Sequence, residues 1–204
     1  MGQFLETIKP EPWFANTVVI VLADHGFPLS EHGSSTIGYG LYTESVWIPF
    51  LILGQHPKMG APALHDYPAS QLDIGPTILA LAGIQEANHF LGHDLFRPAS
   101  GRNSLSYLVR GEQGALEQGS AESGYFRMHA PLGTAPREQG DEVFNTLLDK
   151  QERVNLYGSQ GRAIYDSLVP FLRTMAELNT YTVEANTLWP DYEIESLDSH
   201  GKRP

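Results

Sequence analysis

The sequence predicts an α/β fold with a mostly parallel sheet. Three segments lead to this prediction: an unbroken β-branched run at residues 16–23, a second apolar run at 48–53, and a segment with helical spacing at 72–83. Apolar runs without polar alternation are typical of strands covered on both faces, as in parallel sheets between layers of helices. Helix, strand, loop, strand and helix therefore alternate through the first hundred residues, as expected of an α/β core.

The first elements have clear local signals. Residues 3–9 place apolar side chains at helical spacing, and Pro10 closes that helix. The strand at 16–23 runs directly into Asp24-His25-Gly26. Residues 27–40 are rich in Gly and Ser, which predicts a loop after the strand.

The second strand and the helix after it begin and end at residues that favour those positions. Pro49 lies at the start of the strand at 48–53, where a missing N–H is tolerated. Asp73 is the expected N-cap of the helix at 72–83, and Gly83 is the residue expected to end it.

The second half of the chain is predicted to be smaller and less regular. Residues 98–120 are rich in Gly, Ser and Glu and are expected to form a surface loop or boundary. Short strands are expected at 124–129 and 143–148. A helix is expected at 162–185, in which Pro170 should cause a kink or a break. These elements predict a small subdomain with short antiparallel strands and a helix.

A chain of 204 residues is long enough for one domain, or for one core with a small appendage. We place the division near residue 100. Residues 1–100 are predicted to form a partial α/β core that carries Asp24-His25-Gly26. Residues 101–204 are predicted to form a C-terminal subdomain with short strands, a long helix and a polar tail.

Charge and composition exclude several classes of function. The chain has 24 acidic and 13 basic residues and a formal net charge of −11, so nucleic-acid binding is not expected. A small anionic substrate stays compatible with this charge, because a bound divalent cation reverses the local field. The absence of cysteine excludes disulfides, thiolate zinc sites and a cysteine nucleophile within the chain. No apolar run approaches the ~20 residues that span a bilayer, so no membrane segment is expected.

The pair Asp24-His25 at the end of the first strand is the most informative feature. In open α/β sheets, ligands collect at the carboxyl ends of strands. A carboxylate and an imidazole in sequence, turned by Gly26, can both face one cation, and this combination suits zinc, manganese or a comparable ion. Two ligands do not complete a site, so further acidic ligands must come from elsewhere. The alternative, which the dipeptide alone leaves open, is that Asp24 caps a turn and His25 is a polar loop residue.

Four blocks of the sequence resemble the sulfatase family in their order and spacing. The first joins the strand to Asp-His-Gly and then to Ser-Glu-His-Gly. The second contains Tyr-Thr-Glu-Ser-Val-Trp-Ile-Pro-Phe-Leu-Ile, the third Asp-Ile-Gly-Pro-Thr-Ile-Leu-Ala-Leu-Ala-Gly-Ile, and the fourth Gly-His-Asp-Leu. They occupy residues 16–33, 42–52, 70–84 and 92–95. A weaker similarity at 147–156 extends the resemblance to about residues 3–185.

The resemblance implies the C-terminal half of an alkaline-phosphatase-like sandwich. It implies that Asp24 and His25 bind the catalytic divalent cation, with calcium, manganese and zinc left open. It also implies that His32 lies near the anionic group of the substrate, as a substrate-binding and catalytic residue that donates a hydrogen bond or protonates the leaving oxygen. Several sulfatases carry a lysine five residues after that histidine. Ile37 stands there in this sequence, which leaves the substrate class open.

The family's nucleophile, a formylglycine or a threonine, lies early in the full domain together with the remaining acidic metal ligands. This chain is therefore expected to be a fragment of a metal-dependent sulfatase-type hydrolase, inactive alone. Its expected partners are a small anionic ester and the missing N-terminal half of the same protein. The alternatives are a phosphoglycerol or phosphoethanolamine transferase or phosphodiesterase of the same superfamily, and a non-catalytic homologue that acts as a binding module. The resemblance suggests an extracytoplasmic parent protein, periplasmic or membrane-anchored.

Overall fold

The computed structural model contains two antiparallel sheets and four α-helices among the residues that it describes. These residues are 1–36, 40–85, 89–97, 102–110, 115–133 and 140–184. The elements in chain order are α1 (Gly2–Ile8), β1 (Val18–Leu22), α2 (Thr43–Val46), β2 (Phe50–Gly54), α3 (Ile74–Leu81), β3 (Asn103–Arg110), β4 (Ala115–Ser123), β5 (Phe126–Pro131), β6 (Glu142–Asn145) and α4 (Arg162–Glu184).

The first sheet consists of β1 and β2, which pair antiparallel. Val18 lies opposite Gly54, and Leu22 opposite Phe50. Both strands lie close to their predicted positions, but the predicted mostly parallel sheet is not confirmed by the described strands. An apolar run shows that a strand has both faces covered, and it carries no information about the direction of its neighbour. Within this chain the cover is incomplete, because every residue of β1 stays partly exposed.

The helix predicted at 72–83 is confirmed, with its ends where the sequence placed them. A short 3-10 turn at Gln71–Asp73 leads into α3, and Asp73 is the N-cap residue of α3. Its carboxylate accepts the backbone N–H of Ser70 at 2.9 Å, in a capping box with the Ser70 hydroxyl. Beyond the helix, Gly83 has a φ of +71°, a left-handed conformation that favours glycine.

The second sheet has four antiparallel strands in the order β3-β4-β5-β6. The loop predicted at 98–120 is therefore wrong over most of its length, since β3 and most of β4 lie there. Gly and Ser have low strand propensity, but this sheet requires small residues. A Cβ on Gly119 would lie 2.7 Å from a methyl carbon of Leu172 in α4 and 2.9 Å from one of Leu132. Helix α4 packs this closely on the sheet only because Gly119 has no side chain.

Successive residues of the central strands face opposite sides of the second sheet. One face is apolar and packs on α4, with a buried core formed by Leu105, Ala121, Met128, Ala130, Val143, Tyr165, Leu168 and Leu172. The other face carries Glu122, Arg127, His129 and Glu142. It is covered by the loop between β1 and α2 and by the turn after β6. The second sheet therefore separates a hydrophobic core from a polar layer.

Helix α4 runs from Arg162 to Glu184 without a break. Pro170 lies inside it, so of the predicted kink or break the break is wrong, and the kink stays a prediction. Leu168 and Leu172 on either side are buried against the sheet, and their burial offsets the hydrogen bond that proline cannot donate. In the described part of the chain, no helix combines the length and the apolar character needed to cross a bilayer. The predicted division near residue 100 stays a prediction.

Candidate metal site and its supporting network

Asp24 and His25 follow β1 after one intervening residue, Ala23, and their side chains converge. His25 Nε2 lies 3.6 Å from Asp24 Oδ2, with the two side chains 45% and 87% exposed. The backbone N–H of His25 also donates to Asp24 Oδ1 at 2.9 Å. The structure therefore has the side-by-side arrangement that the sequence suggested, on an open surface. Cation binding by this pair stays a prediction.

The hydrogen bond of His25 Nδ1 determines which ring nitrogen is free. Nδ1 lies 2.6 Å from the carbonyl oxygen of Gly26, which can only accept, so Nδ1 carries the proton in the neutral ring. Nε2 then presents its lone pair on the side of Asp24. Histidines that bind metals have this arrangement, with one N–H donated to a carbonyl and the other nitrogen facing the ion. The pair fits two ligands of a divalent cation. No group of three or more His, Cys, Asp or Glu among the described residues could hold an ion by itself.

The backbone around this pair is held on both sides. Gln71, just before α3, donates from its side-chain amide to the carbonyl of Asp24 at 2.7 Å. The N–H of Gly26 donates to the carbonyl of Ser45 in α2 at 2.8 Å. A Cβ on Gly26 would lie 2.1 Å from the carbonyl oxygen of Glu44, so only glycine allows α2 to approach this closely. The close approach of α2 therefore requires glycine after His25, and the hydrogen bond to Ser45 holds this glycine in place.

His32 lies further along the same loop, with both ring nitrogens bonded within the protein. Nδ1 is 2.6 Å from a carboxylate oxygen of Glu44, and Nε2 is 3.2 Å from the carbonyl oxygen of Glu152. One face of the ring stacks on Tyr42 at a centroid distance of 3.7 Å. Both partners are acceptors, so the geometry favours the protonated ring, the form in which both nitrogens donate. The predicted contact of His32 with substrate stays a prediction, and this geometry favours a supporting role, because neither N–H is left for a ligand.

The surroundings of His32 raise its pKa. Burial alone would lower the pKa, but the hydrogen bond to Glu44, the bond to the Glu152 carbonyl and the charges of both carboxylates outweigh it. A histidine with a raised folded-state pKa stabilises the fold below its unfolded pKa, and this contribution is lost as the pH rises through the folded value.

We therefore expect His32→Gln to destabilise the protein more at pH 5.5 than at pH 9. The difference between the two pH values should be about 1 kcal/mol, the size of a charge-assisted hydrogen bond. Urea unfolding of both proteins at each pH measures it. His65→Gln, at an exposed loop histidine, is the control and should show no such trend. A loss of stability in His32→Gln that is equal at both pH values would contradict an ionic role for His32.

A buried ionic network lies beneath this loop. The carboxylate of Glu152, fully buried, accepts the backbone N–H of Thr43 at 2.5 Å and Arg127 Nη1 at 3.0 Å. Arg127 Nη1 also donates to the hydroxyl of Thr43 at 2.8 Å, and Nη2 donates to Glu122 at 2.9 Å. Burial alone would lower the pKa of Arg127, but the two carboxylates outweigh it and the pKa is raised. Glu152 has a φ of +51°, which costs about 1 kcal/mol for a residue with a side chain, and its contacts offset that cost.

A second part of the network joins the loop to β5 and β6. The hydroxyl of Tyr42 donates to the carboxylate of Glu142 at 3.1 Å, and His129 Nδ1 lies 3.3 Å from the same group. His129 is fully buried, and its Nε2 is 4.0 Å from Glu152, beyond hydrogen-bonding distance. These contacts connect the residue before α2 with the second sheet.

Sequence reasoning missed this network. Arg127 stands in a strand of alternating polar and apolar residues, and that alternation was the available signal that one face of the sheet is polar. Glu152 lies in the block at 147–156 that resembles the family, but its role depends on partners that are distant in sequence. Ile37, at the position where several sulfatases carry a lysine, lies outside the described residues.

The comparisons with known proteins find sulfatases by sequence, and sulfatases and phosphonate monoester hydrolases by structure. The family profile named Sulfatase matches residues 1–84. The Delta 4,5-hexuronate-2-O-sulfatase of Bacteroides thetaiotaomicron is 27% identical over 164 residues, which cover 74% of this chain and 33% of that protein.

Two solved structures show the same fold. One is a protein in complex with its substrate D-glucosamine-2-N,6-O-disulfate, with a TM-score of 0.63 and 21% identity over 92% of this chain and 38% of that one. The other is the phosphonate monoester hydrolase of Agrobacterium radiobacter, with a TM-score of 0.61 and 19% identity over 100% and 42%. The chain spans less than half the length of each of these proteins.

The matches in sequence and the likeness in fold confirm the resemblance found in the four sequence blocks. The fold, with mixed helices and sheets, is like that of these two solved structures. Residues 1–84 of this chain therefore match the sulfatase family, and about three quarters of the chain is similar to a sulfatase in sequence.

Proposed function

We propose that this chain forms the C-terminal part of a divalent-metal-dependent sulfatase that cleaves sulfate esters of small sugars. The observation that carries the proposal is the geometry of Asp24 and His25, whose side chains converge at the end of β1 with His25 Nε2 free for an ion. A family of sulfuric ester hydrolases requires such a cation, and the pair supplies one charged and one neutral ligand.

The proposed substrate class rests on two of the related proteins. One is named as a sulfatase of an unsaturated hexuronate, and another was solved with a disulfated glucosamine as its substrate. The net charge of −11 favours a short sulfated sugar over a long sulfated polymer, since repulsion grows with the charge of the partner. The substrate that we propose is therefore a sulfated monosaccharide or a short oligosaccharide.

The residues of this chain would bind and orient the cation. Asp24 would contribute negative charge, and His25 a nitrogen whose orientation is fixed by the carbonyl of Gly26. The cation, when bound, would supply Lewis-acid stabilisation of charge on the ester oxygens. Gln71 and α2 would keep both ligands in place through their bonds to the backbone.

The proposal includes a partner that completes the site. Two ligands do not close the coordination shell of a divalent ion, and the described residues hold no larger cluster of metal-binding side chains. The related sulfatases are longer than the matched segment, and the nucleophile and remaining ligands would come from the part that corresponds to the rest of their length. The chain alone would then be inactive, and the family resemblance suggests that the whole protein acts outside the cytoplasm.

The test is to produce the chain together with the N-terminal half that the proposal requires, and to assay it with calcium, manganese and zinc in turn. We expect hydrolysis of 4-nitrophenyl sulfate that depends on one of these metals and is lost on chelation, and no hydrolysis by the 204-residue chain alone. Faster cleavage of bis(4-nitrophenyl) phosphate would indicate a phosphodiesterase or transferase instead. Absence of both activities, with no metal bound, would indicate a non-catalytic binding module.

A further inference from the structure

We propose that Glu152 is a positioning residue for the site at Asp24 and His25, and that it acts through α2. This inference rests on the proposed function, because it concerns how the second sheet holds the residues of that site. Glu152 follows β6 and is 120 residues away from His32 in the sequence, yet its backbone carbonyl contacts the loop between β1 and α2 and its carboxylate contacts the first residue of α2.

Glu152 holds the start of α2 directly. One carboxylate oxygen accepts the backbone N–H of Thr43, the first residue of α2. The other accepts from Arg127, which donates to the Thr43 hydroxyl as well. The carbonyl of Glu152 holds His32, on the segment that leads into α2. Glu152, which is fully buried, therefore holds the end of the loop and the start of α2 through its contacts with His32, Thr43 and Arg127.

Helix α2 in turn holds the residues next to the metal ligands. Ser45 in α2 accepts the N–H of Gly26 at 2.8 Å, and the neighbouring carbonyl of Glu44 leaves no room for a Cβ on Gly26. The carbonyl of Gly26 accepts the proton of His25 Nδ1 at 2.6 Å. A displacement of α2 would therefore move Gly26 and release the hydrogen bond that orients His25.

The contacts of Glu152 require a carboxylate. Glu152 accepts from two different donors with its two oxygens, one from Thr43 and one from Arg127. A glutamine has the same shape but one accepting oxygen, so its NH₂ group would face one of these donors. In Glu152→Gln the side-chain NH₂ would therefore face another donor, either the Thr43 N–H or Arg127. The backbone carbonyl that accepts from His32 is kept.

The test uses the 204-residue chain and its Glu152→Gln variant, labelled for NMR. We expect amide hydrogen exchange at Thr43 and Gly26 to become at least tenfold faster in the variant. The exchange of amides in the central strand β5 should stay within twofold of the parent chain. The imidazole ¹⁵N shifts of His25 should move from a single tautomer toward a mixture of both, a change that a purely structural role elsewhere would not produce.

Glu122→Gln is the matched control, because Glu122 pairs with Arg127 on the other side of the guanidinium. It should leave exchange at Thr43 and Gly26 unchanged. Unchanged exchange and unchanged His25 shifts in Glu152→Gln would overturn the proposal. Equal acceleration throughout the chain would overturn it too, since Glu152 would then serve the fold as a whole. If the Gln variant does not fold, Glu152→Asp is measured in the same way, and the same results support or overturn the proposal.

Activity separates this inference from the proposed function. In the completed enzyme, Glu152→Gln should lower kcat about tenfold to a hundredfold, as for other groups that orient metal ligands, and leave KM nearly unchanged. An active enzyme whose kcat does not respond to Glu152→Gln would refute the positioning role alone. An inactive parent protein with the predicted NMR changes would refute the proposed function alone.

Discussion

Asp24→Ala is expected to abolish sulfate ester hydrolysis by the completed enzyme, with a loss of kcat/KM of about a thousandfold or more. A catalytic cation contributes several kcal/mol of stabilisation to the transition state, and each ~1.4 kcal/mol is a factor of ten in rate. Asp24 is the one carboxylate that the structure places beside His25 Nε2 among the described residues. Initial rates with 4-nitrophenyl sulfate over a titration of manganese measure the effect.

Raising the manganese concentration to the limit of its solubility should not restore activity to Asp24→Ala, because the carboxylate also sets the geometry of the ion. Asp66→Ala is the matched control, since Asp66 is an exposed acidic residue in a loop. It should leave both kcat and the manganese requirement unchanged. An Asp24→Ala enzyme with normal rates and a normal metal requirement would show that Asp24 is no ligand.

Arg127→Ala is expected to destabilise the chain by about 3–5 kcal/mol, the largest effect on stability that the structure predicts. Its side chain is 5% exposed and lies between the carboxylates of Glu122 and Glu152, of which Glu152 is fully buried. Removal of the cation leaves these negative charges facing each other without compensation, which costs more than the pair itself contributes. Urea unfolding monitored by circular dichroism measures the change.

Arg162→Ala is the matched control for this substitution. Arg162 pairs with Asp166 on the exposed surface of α4, with both side chains more than half exposed. Solvent screens that pair, so Arg162→Ala should lower the free energy of unfolding much less than Arg127→Ala does. A double variant, Arg127→Ala with Glu152→Gln, should regain part of the stability, because one of the uncompensated charges is gone. Equal effects at the two arginines would contradict the buried ionic network.

The local features of the site could be predicted from the sequence. The uninterrupted run before Asp24 predicted a strand that ends at the acidic residue, and β1 ends at Leu22. Helix α3 was predicted because its cap, Asp73, and its terminating Gly83 carry signals within a few residues of the helix. The ends of these elements depend on residues close by in the chain, so they can be predicted from the local sequence.

Features that depend on distant partners could not be predicted in this way. The direction of the sheet depends on how the chain returns from β1 to β2, and no residue in either strand encodes it. Strands β3 and β4 were missed because Gly119 is small for a reason that lies in Leu172, far along the chain in α4. The role of Glu152 likewise depends on Thr43 and Arg127, which lie in two other elements.

The bond between His32 and Glu152 has a consequence for synthesis on the ribosome. These residues are separated by 120 positions, so at ~5–20 residues per second the first leaves the ribosome roughly 6–24 s before the second. During that interval the nascent loop lacks the residue that anchors it, and it is open to proteases and to chaperones. A translation product that stops before residue 152 would keep β1 and the carboxylate and imidazole that follow it, yet it would never acquire the anchored conformation.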